Sequence, residues 1–187
     1  MMTLQEALEV LAAYRGRRVV VTTMAAVGPW PALSDTPLDF AYMPSAMGQG
    51  PGLALGLALA QPGRGVIVVN GDGSMLMNLG SLATLANHPA DVYLLVIDNG
   101  IYEVTGGQPT AGAGRVDFAA LARAAGVGRV YSFDSADAWR AGAAEALSGP
   151  GPVVVWLKVE GRQGQRTPKP PRPMAEQIER LRQSLGG

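Results

Sequence analysis

Two short segments carry the residue types best suited to chemistry. They are Gly71-Asp72-Gly73-Ser74 and Asp98-Asn99-Gly100-Ile101-Tyr102, with Asn99 27 residues after Asp72. The first follows an apolar run, Gly65 to Asn70, and precedes a segment of helical character, Met75 to Asn87. A strand, a glycine turn and a helix in succession offer an anion free backbone amides at the positive end of a helix, and the glycines permit close approach. A bare carboxylate there would repel the anion, so Asp72 points to a divalent cation bridging the two. Mg²⁺ suits the place, because it takes few carboxylates together with neutral oxygens, water and phosphate oxygens. Taken alone, Gly71-Asp72-Gly73 equally fits an ordinary turn with Ser74 capping a helix. The second segment adds the Asn99 amide oxygen at the end of the next apolar run, Val92 to Asp98. Loops at the carboxyl ends of adjacent parallel strands are where open α/β sheets bind ligands. Together the two loops supply a hard-oxygen set suited to Mg²⁺ carrying a diphosphate.

The rest of the composition narrows the chemistry further. The chain has 187 residues, a length that favours one domain with a sizeable core. It has no cysteine and one histidine, His88, which removes thiolate metal sites, cysteine nucleophiles and multi-histidine centres. Fifteen basic residues balance fifteen acidic ones, so no basic footprint for nucleic acid or for an anionic membrane is expected. Met1 to Leu8 lacks the basic start and apolar core of a signal peptide, and the uncharged stretch between Asp39 and Arg64 is broken by prolines and amides. The expectation is a soluble, cytoplasmic protein.

The elements that must position these residues alternate along the chain. Leu4 to Tyr14 has helical periodicity with Thr3 as N-cap, and Val19 to Thr23 is a β-branched run. Ala25 to Ser45, with four prolines, reads mostly as loop, and small residues from Gly48 to Ala60 predict a closely packed helix. After the strand–helix–strand unit of the two motifs come the loop Asn99 to Gly114, a helix over Val116 to Ala125, a strand over Arg129 to Phe133, a helix over Ala136 to Leu147 and a strand over Val153 to Val159. Near-continuous apolar strands alternating with helices predict an α/β fold, three-layered αβα with a mainly parallel sheet. The expected division is a domain over 1–160 and, over 161–187, a Pro-rich linker with a short polar helix from Met174 to Leu185.

The spacing of Gly71-Asp72-Gly73-Ser74 and Asn99 resembles the thiamine diphosphate and magnesium motif of the thiamine-dependent enzymes. From roughly Met2 to Glu160 the chain is similar to their C-terminal, diphosphate-binding domain. Met47-Gly48 with the small-residue helix behind it, Gly71 to Gly80, and Thr105-Gly106-Gly107-Gln108-Pro109-Thr110 look closest to the branch holding the small (beta) subunit of sulfopyruvate decarboxylase and the equivalent half of phosphonopyruvate decarboxylase. Carried over by position, the resemblance implies Asp72 and Asn99 as Mg²⁺ ligands through side-chain oxygens and Ile101 through its carbonyl. Gly71, Gly73, Ser74 and Tyr102 fall among the cofactor contacts, with the diphosphate on Gly73 and Ser74. Met47 falls where the family places an apolar wedge against the cofactor, although a methionine among small residues equally serves as core filler. The Ser45 carbonyl would accept from the aminopyrimidine. Where relatives tend to read Gly-Ser-Met-Gly this chain reads Ser45-Ala46-Met47-Gly48, so at Ala46 a main-chain contact survives and a hydroxyl contact does not.

Many thiamine decarboxylases carry a catalytic carboxylate six residues beyond the Asn ligand; here that position is Thr105, as in the sulfopyruvate-type branch. Glu103 lies out of register and is expected to be a solvated loop residue. Thr105 and Gln108 are candidates for binding an acidic substrate or ordering the loop. His88 is expected on a surface loop, Arg162, Arg166, Lys169 and Arg172 as solvated charges of the tail or, alternatively, in docking a partner, and the three tryptophans in packing.

In this family the glutamate that activates the pyrimidine side of the cofactor belongs to a separate domain, and nothing in the chain resembles one. The resemblance therefore implies a lyase subunit that decarboxylates a small 2-oxo acid, inactive alone, in a hetero-oligomer with a pyrimidine-domain (alpha) subunit or in a homo-oligomer. The alternatives are a carboligase of the acetolactate synthase kind, an oxidoreductase subunit, or a non-catalytic thiamine diphosphate-binding remnant. A Rossmann nucleotide site is disfavoured because the first strand–helix turn lacks Gly-x-Gly-x-x-Gly.

Overall fold

The computed structural model describes residues 1–44 and 47–186. Its centre is a six-stranded parallel sheet formed by β1 (Val19–Thr22), β2 (Asp39–Ala41), β3 (Val66–Gly71), β4 (Val92–Asp98), β7 (Arg129–Phe133) and β8 (Val153–Lys158), in the order β2-β1-β3-β4-β8-β7. A two-stranded antiparallel hairpin, β5 (Ile101–Tyr102) and β6 (Gln108–Pro109), stands apart from it. The inner strands are continuous apolar runs because helices cover both of their faces. Val20, Ile67, Leu95 and Val155 meet α1 (Leu4–Tyr14) and α6 (Ala136–Ala146) on one side, where Trp139 is fully buried and donates its indole N–H to the Ala7 carbonyl at 3.1 Å. Val19, Val21, Val68 and Val96 meet the other layer, made of α2 (Gly50–Ala60), α3 (Asp72–Leu76), α4 (Gly80–Ala86), α5 (Phe118–Ala124) and α7 (Met174–Ser184). This is the three-layer αβα arrangement expected.

At the start of α1, Thr3 Oγ accepts from the Glu6 amide while the Glu6 carboxylate accepts from the Thr3 amide, a reciprocal capping box. Five features depart from the sequence reading. The proline-rich stretch between Ala25 and Ser45 contains the edge strand β2, paired Val20↔Asp39 to Thr22↔Ala41. The single helix expected over Met75 to Asn87 is two short helices, α3 and α4, because the chain turns at Met77–Leu79. The loop after Asn99 closes into the β5–β6 hairpin. The tail returns to the sheet: Leu181 is buried in the core, and the Gln177 side-chain oxygen accepts from the Ala41 amide on β2 at 2.8 Å. Arg172, expected to be a free tail charge, forms a two-pronged ion pair with Asp35 at 2.7 and 2.8 Å.

The register places the site. Asn70↔Val96 and Gly71↔Ile97 bring the carboxyl ends of β3 and β4 level, so Asp72 and Asn99 leave the sheet side by side. The chain leaving β1 turns toward the α1–α6 layer, where Ala26 and Trp30 are buried, while the chain leaving β3 enters the opposite layer with Met75. That divergence opens a crevice at the carboxyl edge, the position at which open α/β sheets take ligands. Among the described residues no helix is long and apolar enough to cross a membrane.

Candidate functional site

A cleft opens at this crevice. Its walls include Met47, Gly71, Asp72, Gly73, Ser74, Asn99, Ile101, Tyr102 and Thr105, so most of the residues singled out in the sequence are brought together. Ser45 and Ala46 lie outside the described residues. Gln108 is exposed on β6 and is not among the cleft walls.

Gly71 is the extended N-cap residue of α3, and among the described residues no side chain caps that helix. Ser74, weighed above as a capping residue, instead sits inside the helix. Its hydroxyl donates to Asn70 Oδ1 at 2.8 Å and accepts from the Gly48 amide at 2.8 Å. No cap from Gly71 or Ser74 thus occupies the first-turn amides of α3, although those of Asp72 and Gly73 also face the Asp72 carboxylate. Asn70, buried at the end of β3, ties three segments together: its Oδ1 also accepts from the Thr23 hydroxyl at 3.3 Å, beyond β1, and its Nδ2 donates to Met75 Sδ at 3.7 Å. The Gly48 carbonyl accepts from Asn78 Nδ2 at 3.0 Å, which fixes Met47 and Gly48 over the α3–α4 turn.

Asp72 is 2% exposed and its Oδ2 accepts from the Thr110 hydroxyl at 3.0 Å. Burial, and secondarily the negative charge of Asp98, pushes its carboxyl up to about 6; the Thr110 hydroxyl and nearby amides oppose the rise without cancelling it. Asp98 is itself held by the Trp156 indole N–H at 2.9 Å. The Asn99 Oδ1 accepts from the Ile101 amide at 3.0 Å, and its Nδ2 donates to Glu103 Oε2 at 2.6 Å. Glu103 is not the solvated residue expected. It is 8% exposed on the cleft wall, and burial raises its carboxyl above the ordinary range while Asn99 and the charge of Arg162 lower it.

Gly73 was expected to let the backbone approach a ligand. In the structure its lack of a side chain also admits the hairpin: a Cβ there would lie 2.5 Å from the Tyr102 ring and 3.0 Å from Thr110 Cγ2. Met24, on the cleft wall, is the one non-glycine residue with positive φ (49°) among the described residues. Such backbone clusters at ligand sites.

The donor set fits a hard cation better than a soft one. Among the described residues there is no group of three or more His, Cys, Asp or Glu placed to hold a metal, so any cation here must draw on mixed oxygens. Among the described residues the desolvated Asp72 carboxylate, with Asp98 nearby, has no ion-pair partner, and an amide oxygen stands on the adjoining strand end. Uncapped amides at the start of α3 supply the complement for an anion that such a cation would carry. Sequence reasoning missed Asn70, Glu103 and the contact from Thr110 to Asp72; Asn70, a polar residue closing an otherwise apolar strand, was the visible signal.

Residues 22–157 match the family of the thiamine pyrophosphate enzyme C-terminal TPP-binding domain. Over 146 residues the chain is 42% identical to the phosphonopyruvate decarboxylase of Streptomyces viridochromogenes, a match covering 78% of this chain and 36% of that protein. Over 130 residues it is 37% identical to the sulfopyruvate decarboxylase subunit beta of Methanothermobacter thermautotrophicus, covering 69% of this chain and 66% of that subunit. The chain therefore spans about a third of the one relative and about two thirds of the other. Among solved structures, a thiamin diphosphate-dependent enzyme of Mycobacterium smegmatis superposes with a TM-score of 0.70 at 25% identity, over 85% of this chain and 32% of that one. The benzoylformate decarboxylase of Polynucleobacter necessarius, 20% identical with a TM-score of 0.68 over 89% of this chain and 34% of its own, shares the fold.

Proposed function

Because the chain belongs to the thiamine pyrophosphate enzyme C-terminal, TPP-binding domain family, homologous to the phosphonopyruvate and sulfopyruvate decarboxylases, we propose that it is the cofactor-binding subunit of a cytoplasmic lyase that decarboxylates a small 2-oxo acid. The observation that carries this reading is the meeting of Asp72, Asn99 and Met47 in one cleft beside the uncapped start of α3.

In this reading Asp72 and Asn99 hold Mg²⁺ through their side-chain oxygens and Ile101 through its carbonyl. Gly73 and Ser74 receive the diphosphate on their amides, with Gly71 setting the entry to the helix. Met47, on the cleft wall, would be the apolar support of the cofactor, Ser45 and Ala46 would contact it through their main chain, and Tyr102, which packs against Gly73, would be a further contact. Bound thiamine diphosphate supplies the electron sink that accepts the pair released when carbon dioxide leaves. Thr105, on the cleft wall, orients the substrate; Gln108, exposed on β6, meets it only if the hairpin moves or a partner presents it. The glutamate that activates the pyrimidine comes from a pyrimidine-domain (alpha) subunit, so the chain is inactive alone and works in an oligomer. The kinship with phosphonopyruvate and sulfopyruvate decarboxylases favours a 2-oxo acid with a second anionic group.

The direct test is a melting scan of the chain with thiamine diphosphate plus Mg²⁺ against each alone. A ligand at 100 times its Kd stabilises by about 2.7 kcal/mol, roughly 5–11 °C for a chain of this size. A shift that needs both components supports the site. No shift with the two together counts against it, and turnover by the isolated chain would overturn the need for a partner.

The response should also depend on pH, with a sign set by Asp72. Its carboxyl is raised to about 6 in the folded chain, above the unfolded value of 3.8, so folding is favoured where the proton is held and that contribution declines as pH rises through 6. A cation needs the ionised form and competes with the proton. The Mg²⁺-dependent shift is therefore expected to grow between about pH 5 and about pH 7. A shift that is flat or falling over that interval would show that Asp72 does not ligate the cation.

A further inference from the structure

We propose that Glu103 is a positioning residue: by accepting from the Asn99 carboxamide nitrogen, it turns the Asn99 oxygen toward the cation. This rests on the cation site proposed above. An Asn side chain has an oxygen that ligates a cation and an NH₂ that cannot, and the two exchange places when the carboxamide rotates by half a turn. A carboxylate has only acceptors, so the end of Asn99 that faces Glu103 must be the nitrogen. The contact is short, 2.6 Å, and the Ile101 amide secures the other end by donating to Asn99 Oδ1 at 3.0 Å. Among the described residues Asn99 is the only hydrogen-bond partner of the Glu103 carboxylate. Burying a carboxylate costs more stability than one neutral donor and the unbonded charge of Arg162 return, which points to a task beyond stability.

Glu103 is tied into its surroundings by several hydrogen bonds. It opens the 3₁₀ turn Glu103–Thr105 inside the hairpin, where Tyr102 is registered with Gln108 and the Gly107 amide donates to the Tyr102 carbonyl at 2.9 Å. From outside, the Thr167 hydroxyl donates to the Val104 carbonyl at 3.1 Å. The same hairpin, at its far end, carries Thr110 to Asp72 Oδ2 at 3.0 Å. One small element thus orients both side-chain oxygens, gripping Asn99 from one strand and Asp72 from the other. Outer partners of this kind typically contribute about 10- to 100-fold in metal affinity.

The test is a calorimetric titration of Mg²⁺ into the full chain at a fixed excess of thiamine diphosphate. Glu103→Met keeps the bulk and removes the acceptor; it is expected to raise the Mg²⁺ Kd about 10- to 100-fold, with the ligand-free melting temperature preserved. Glu103→Gln restores an acceptor oxygen and is expected to stay within about threefold of the parent. In an Asn99→Ala background, Glu103→Met is expected to have no further effect, since the side chain it orients is gone. Parental Mg²⁺ affinity in Glu103→Met would overturn the proposal. So would a Glu103→Gln variant as weak as Glu103→Met, which would mean that Glu103 acts by its charge. A parent chain that takes up no Mg²⁺ with the cofactor would instead overturn the functional reading on which this one stands.

Discussion

Asp72→Ala is expected to abolish Mg²⁺-dependent binding of thiamine diphosphate and to leave the fold standing. The carboxylate supplies the one formal charge among the three proposed cation donors, so without it Mg²⁺ is left with neutral oxygens, which hold this strongly hydrated ion poorly. The fold has little to lose. Asp72 is 2% exposed, lies near Asp98 and gains one side-chain hydrogen bond from Thr110. Removing it relieves a buried charge and strands one hydroxyl, and a lost hydrogen bond of that kind is worth about 1 kcal/mol. The melting temperature without ligand should therefore move by only a few degrees in either direction, roughly 2–4 °C per kcal/mol. Calorimetry and the melting scan together decide the matter: unchanged cofactor binding in this variant would remove Asp72 from the site.

Gly48→Ala should produce the second large effect, on stability and binding together. Gly48 has φ +84, a conformation that costs other residues about 1–3 kcal/mol. A Cβ there would also stand 2.7 Å from Asn78 Cβ and 3.3 Å from the Ser74 carbonyl. Both neighbours are fixed, because Ser74 and Asn78 are the residues that hold the Gly48 amide and carbonyl. The segment carrying Met47 must shift, and a loss of about 2 kcal/mol or more corresponds to roughly 4–8 °C. The cofactor response should weaken with it. Gly52→Ala is the control: nothing lies within 4 Å of a Cβ at that helical position, so a gain of about 0.5–1 kcal/mol is expected. Equal behaviour of the two variants would show that Gly48 has no special task.

The parts of this molecule legible from its residues are those governed by near neighbours in the chain. β4 and β7 begin and end at the residues the sequence predicts, and the capping box of Thr3 and Glu6 needs only three residues' separation. The motif at Asp72 and Asn99 was legible for a similar reason, since one crossover carries the chain from one strand end to the next. What escaped depended on distant partners. β2 is three residues long and exists because β1 offers it a ladder, not because Asp39-Phe40-Ala41 has a strong preference. The break between α3 and α4 is stabilised by Asn78 reaching back to Gly48, 30 residues earlier. Glu103 looked solvated because a charged residue in a glycine-rich loop usually is; closure of the hairpin and the Asn99 nitrogen bury it instead. Arg172 looked unattached because its partner, Asp35, lies 137 residues away.

The docking of α7 also bears on what becomes of the chain when it is cut. A sheet with a bare outer strand offers unpaired amides and carbonyls to any passing strand, and this is how folded proteins begin to polymerise. β2 is such an outer strand, and Gln177 occupies the Ala41 amide that a neighbour would need. The ion pairs of Arg172 and Arg180 with Asp35 pin the helix in place from the flank. A proteolytic nick in the exposed stretch after Glu160 that released α7 would thus uncover an adhesive edge as well as lose a helix, and the fragment left behind would be prone to self-association.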